Sequence, residues 1–188
     1  MAIKTFITGE VLTAADTNTY LANSGLVYIT QATLTGSAVS IQGCFSATFD
    51  SYLLQFTNAK SASSAIFVYW QLLNGATPIT TASYNVQRAS LQAGAWILTN
   101  YASNTFGIAC VLGTDAGQGA ALQIFNPFLT TNTQSTTVGV YTANASAGIL
   151  ELAPTNQTGT TSCDGIKLLA QSGTFSTGKV IVYGYRQS

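Results

Sequence analysis

Histidine is absent from this chain of 188 residues, and charge is scarce: six basic and six acidic residues give a formal net charge of zero. Without histidine there is no Ser-His-Asp triad, and no imidazole to activate a cysteine. A Ser-Lys dyad stays formally open, but nothing marks one serine among so many. Enzymes usually gather several ionisable groups in one pocket to move protons and stabilise charge. Here there are few to gather, so no catalytic residue is assigned and the chain reads as non-enzymatic. The charges are scattered, from Lys4 and Glu10 to Lys179 and Arg186, with no basic run to neutralise phosphates. Nucleic acid is therefore not an expected partner.

Cofactor and metal chemistry find equally little footing. Cys44, Cys110 and Cys163 are isolated and match no C-x-x-C or zinc spacing, which suits small apolar residues in a reducing cell. Asp50, Asp115, Glu151 and Asp164 are dispersed, mostly in or beside Gly/Ser/Thr-rich turns. Calcium would want them clustered, and glycoside hydrolysis would want two of them facing each other. Gly117-Gln118-Gly119 is no phosphate fingerprint and reads as a loop apex. The start of the chain lacks the apolar region of a signal peptide, and the longest apolar stretch, Ala65 to Trp70, is too short to cross a bilayer. No membrane partner and no secretion are expected.

What the chain has instead is neutral polarity. Only 6% of it is charged, against about 25% in ordinary domains. About a third is Ser, Thr, Asn and Gln, yet mean hydropathy is positive. Such a surface has little charge repulsion to hold copies apart, which points to an obligate assembly.

From Leu26 onward the pattern is one of strands. β-branched and aromatic residues concentrate in Leu26–Thr30, Tyr52–Thr57, Ile66–Trp70, Trp96–Leu98, Val138–Tyr141 and Lys179–Tyr185. Turn clusters separate them at Asn74-Gly75, Asp115–Gly119 and Thr158–Thr161. Many short strands predict an all-β domain, a β-sandwich or jelly roll, over residues 26–188. Ile166–Ala170 fits a strand or a helical turn equally. The last strand carries bulk on both faces, with Ile181, Tyr183 and Tyr185 on one and Val180 and Val182 on the other, and is placed inside a sheet.

Residues 1–25 differ. Thr13-Ala14-Ala15-Asp16 has the form of a capping box, followed by two to three helical turns and Gly25 at the C-terminal position. So short a helix does not persist alone in water. It packs on its own domain or docks on a neighbour, and docking is the reading taken here. Phe6, Val11, Leu12, Tyr20 and Leu21 are the residues assigned to that anchor. Elsewhere, Trp70 reads as core, while Trp96 and Tyr101 are the candidates for an exposed glycan-stacking platform.

Three segments carry a resemblance. Phe6 to Leu21 (FITGEVLTAADTNTYL), Phe45 to Tyr52 (FSATFDSY) and Gly178 to Arg186 (GKVIVYGYR) are similar to segments of tailed-bacteriophage virion accessory proteins. The resemblance reaches the start, an early strand and the end of the chain. It implies a virion component made in the bacterial host cytoplasm, a homotrimer with an anchoring arm and an outward β-sandwich. Its partners would be other virion proteins of the capsid, tail or fibre base. The roles implied are tail fibre or appendage, or capsid decoration. The chain lacks the long stalk of a tail fibre, which favours a short appendage or a decoration. A carbohydrate-binding module that acts as a host-surface adhesin is the alternative. The resemblance supplies no catalytic residue and no cofactor.

Overall fold

Short runs of β-branched and aromatic residues, cut by glycine and asparagine turns, form strands along nearly the whole chain after Leu26. The computed structural model describes residues 7–11, 13–14, 25–115, 117–142 and 148–185. Its strands are β1 (Leu26–Thr33), β2 (Ala38–Ile41), β3 (Ser51–Ser61), β4 (Ile66–Asn74), β5 (Thr77–Pro78), β6 (Tyr84–Gln92) and β7 (Ala95–Asn104). They continue with β8 (Gly107–Leu112), β9 (Gln118–Phe125), β10 (Thr133–Tyr141), β11 (Ile149–Leu152), β12 (Thr155–Gln157), β13 (Gly165–Ala170) and β14 (Phe175–Tyr185).

Eight of these strands make the frame. β1 pairs with β14, β2 with β13, β3 with β9 and β4 with β8, all antiparallel. First joins last and the nesting continues inward, which is the jelly-roll winding of a β-sandwich. One sheet of the frame runs β1-β14-β3-β9 and the other β2-β13-β4-β8.

Two insertions then enlarge the first sheet. One carries β5, β6 and β7 between β4 and β8; the other carries β10, β11 and β12 between β9 and β13. Beyond β9 come β10, then β11 and β12 end to end, then β6, with β7 on the rim. β11 and β12 hold one register and are parted only at Ala153-Pro154, where proline has no N–H to give the ladder. The result is nine strands in one sheet against five in the other.

The core lies between the sheets of the frame. Leu54, Phe56, Leu122, Ile124, Val180 and Val182 meet Val68, Trp70, Leu72, Ile166 and Leu168. Each such side chain contributes about 1.5–3 kcal/mol on burial. Trp70 stands edge-on to Tyr84, ring centroids 5.3 Å apart. The Tyr84 hydroxyl accepts from Leu72 N–H at 3.0 Å and donates to Ile79 C=O at 3.2 Å, tying the insertion to β4. Every residue of β8 is buried, because the extension curves over it. Val86, Ile108 and Ala153 pack there with Phe67, Tyr69 and Tyr101, so β4 is covered on both faces.

The all-β sandwich expected from the sequence is therefore present, with Trp70 fully buried and β14 inside a sheet between β1 and β3. Ile166–Ala170 is strand β13, bound on both sides by β2 and β4. One reading is corrected. Gly117 turns at φ +82°, but Gln118 and Gly119 already belong to β9 rather than to a loop apex. The Gln118 amide enforces this, accepting from Gly113 N–H at 2.5 Å and donating to Thr142 C=O at 3.2 Å. Of the helix expected after Thr13, residues 15–24 lie outside the described residues.

Gly107 gives the sharpest test of this packing. A Cβ there would sit 2.3 Å from Nε1 and Cε2 of Trp70, whose ring has no room to retreat. Gly107→Ala should cost about 1–3 kcal/mol or more by overpacking, lowering the thermal midpoint by roughly 4–10 °C. A midpoint within about 2 °C of the parent would contradict the packing described.

Candidate assembly interface

Several of the few ionisable groups are engaged within the fold. Arg88 and Glu151 form a two-point ion pair, Nη2 to Oε2 at 3.0 Å with a second, closer contact from Nε to Oε1. Glu151 is fully buried and Arg88 nearly so, its guanidinium 4.9 Å from the centre of the Phe67 ring. Burial pushes the Glu151 carboxyl above the usual carboxylate range, and the Arg88 charge and hydrogen bonds pull it partly back. Asp164 accepts from Gly75 N–H at 2.9 Å, and Asp115 accepts from the Thr142 hydroxyl at 2.7 Å. No group of three His, Cys, Asp or Glu side chains comes together among the described residues.

All three cysteines are buried and free. Burial is the main cause that pushes Cys44 from the ordinary 9.0 to about 12 and Cys163 to about 11, and it raises Cys110 as well. These thiols are protonated packing residues at neutral pH.

The unusual feature lies on the extension. On β10 the side chains alternate strictly: Thr133, Ser135, Thr137, Gly139 and Tyr141 face in, while Gln134, Thr136, Val138 and Val140 face out. Sheets normally put the aliphatic residues in and the hydroxyls out. Here the order is reversed, and the reversal continues across the neighbouring strands. Val138 lies opposite Leu152, Leu152 opposite Ala89, and Ala89 opposite Leu98. The next row runs Val140, Leu150, Leu91 and Trp96. Four of these eight side chains stand well into solvent: Trp96 at 53%, Leu98 at 76%, and Val138 and Val140 each at 52%. Beneath them the inner face holds Ser90, Thr137, Arg88 and Glu151.

Gly139 fits the inward position that the valines do not take. A Cβ there would lie 3.1 Å from Ala120 Cβ on the neighbouring β9 and 3.8 Å from Cys110 Cβ on β8, so Ala120 leaves little room for a side chain at that point. The period of two then sends Val138 and Val140 to the opposite face. The rows hold no charged side chain, and a contiguous exposed apolar patch rimmed by polar residues marks an interaction site. At its rim, β7 hydrogen-bonds only β6 among the described residues, leaving a ten-residue edge with Trp96-Ile97-Leu98 at its start. An apolar edge of this length is a template for further association.

The residues singled out from sequence fare differently. Trp96 is exposed and belongs to the apolar rows. Tyr101 is half-buried on the other face of β7, packed with Phe67 and Tyr69, so the two do not form one platform. Five positions along a strand always separates faces. Val11 is 78% exposed; Phe6, Leu12, Tyr20 and Leu21 lie outside the described residues. Sequence reasoning missed Leu91, Leu98, Leu150 and Leu152, since only the register brings them beside Val138 and Val140.

Thiol chemistry checks the burial directly. Ellman's reagent at pH 8 should find no reactive thiol in the native protein and all three after denaturation. Because the folded-state thiol values are raised, stability should be full below about pH 9 and fall as pH climbs through 11 to 12. A thiol that reacts at once in the native protein would contradict this picture. Comparison with known proteins gives no family, since no family model, curated protein or solved structure matches this chain significantly.

Proposed function

We propose that this chain is a non-enzymatic structural protein of a tailed-phage virion, assembled with further copies of itself through the two apolar rows, Val138 to Leu98 and Val140 to Trp96, on the outer face of β10, β11, β6 and β7. One observation carries the assembly: this part of the sheet holds its aliphatic residues outside and its hydroxyls and ion pair inside. Covering eight apolar side chains would return that face to an ordinary sheet environment.

The occupant proposed is a second copy. The face is uncharged and the chain has zero net charge, so like surfaces meet without repulsion. A homotrimer is the state that the family resemblance implies. The virion assignment rests on the three segments from Phe6 to Leu21, Phe45 to Tyr52 and Gly178 to Arg186. In this reading residues 1–25 attach to the particle through Phe6, Val11, Leu12, Tyr20 and Leu21, and the sandwich faces outward. The particle site is a tail appendage or a capsid decoration. A second reading, a host-surface adhesin that binds glycan, gains support from a hollow considered next.

Antibody-gold labelling of purified virions, with band intensity read from the same preparation, tests the assignment. Gold over the head with an abundant band is expected for a decoration, and gold at the tail with a faint band for an appendage. Particles that carry neither label nor band would overturn the virion role.

A further inference from the structure

Two rows along the strands from the apolar patch, the outer face of the same sheet changes character. Phe125, Gln134, Asn156 and Asn85 lie side by side across β9, β10, β12 and β6. The next row holds Thr136, Pro154 and Gln87, with Gln87 N–H donating to Pro154 C=O at 3.1 Å. These residues surround an open hollow of about 390 Å³, within the usual size range of small-ligand sites. It exists because Pro154, the break between β11 and β12, fills less of the row than the amides around it.

We infer that this hollow is a binding site for a neutral pyranose sugar. Four carboxamide residues line it with Ser135, Thr136 and Thr155, and no charged residue does. Carboxamides both donate and accept, as sugar hydroxyls do, so each can serve a ring hydroxyl of either orientation. Asn85 is already oriented: its Oδ1 accepts from Ser103 N–H at 3.1 Å, which leaves its NH₂ group to donate. Phe125, outside the main core cluster, and Pro154 offer apolar surface for the C–H face of the ring. An anionic ligand would find no counter-charge here. An extended peptide would need a groove rather than a hollow closed within two rows. The inference does not depend on the virion role or on assembly, because every residue involved lies within one chain.

Saturation-transfer NMR on the full chain tests it, with lactose, maltotriose, cellotriose and tri-N-acetylchitotriose as probes. At least one should receive saturation with millimolar affinity. Gln87→Ala and Gln134→Ala remove exposed side chains, so the thermal midpoint should hold while affinity falls roughly three- to tenfold each. Phe125→Ala should also weaken binding, and Trp96→Ala should leave it unchanged. No transfer to any of the four sugars overturns the inference. So does binding that survives the Gln87/Gln134 double variant, binding lost in Trp96→Ala alone, or stronger binding of sialyllactose than of lactose.

Discussion

The period of two along a β-strand is the constraint on which this molecule turns. It forces each strand to send alternate residues to opposite faces, and the nine-stranded sheet has only a five-stranded partner to cover it. Over the frame, aliphatic side chains fill the inner face. Over the extension, Gly139 of β10 faces inward against Ala120 of β9, and its valine neighbours are carried outside. The inner face there is built from Thr133, Ser135, Thr137, Thr155 and the Arg88–Glu151 pair. Hydroxyls of Thr133, Ser135 and Thr155 are buried with no hydrogen-bond partner among the described residues. Burying such groups while exposing leucine and valine costs an isolated subunit on both counts. The assembly proposal rests on that imbalance.

The winding explains where the imbalance falls. The eight-stranded frame closes its own core by nesting first strand with last. Apart from the two-residue β5, which pairs with β4, the two insertions have no counterpart in the opposite sheet, so they extend the first sheet past β9 and bend over β8. Arg88 reaches the Phe67 ring from above, and Tyr101 and Val86 cover the second face of β4. The inserted strands thus have their inner face occupied by the frame and their outer face left to something else. Along that outer face the apolar rows give way to the amide hollow within two rows.

Much of the frame was legible in the sequence. Runs such as Tyr52–Thr57, Ile66–Trp70 and Lys179–Tyr185 announce strands because bulky β-formers dominate them, and bulk on both faces placed β14 inside a sheet. The extension was harder to read. β6 and β9 mix glutamine, serine, alanine and glycine, and β8 is small-residue rich, so propensity alone marks none of them. Ile166–Ala170 became unambiguous only through pairing with β2 and β4. The apolar rows need the register of four strands drawn from distant parts of the chain, and composition holds no trace of that alignment. Trp96 and Tyr101 were chosen as a pair for their aromatic rings, but five strand positions separate them onto opposite faces.

The solution mass of the native chain bears most directly on the claim that the outer face of the extension is covered by further copies. Sedimentation equilibrium at micromolar concentration should give three times the 19.6 kDa chain mass, and the double variant Leu98→Lys, Val140→Lys should fall to a folded monomer. A parent protein that sediments at 19.6 kDa, or a trimer that the two lysines leave intact, would contradict the account.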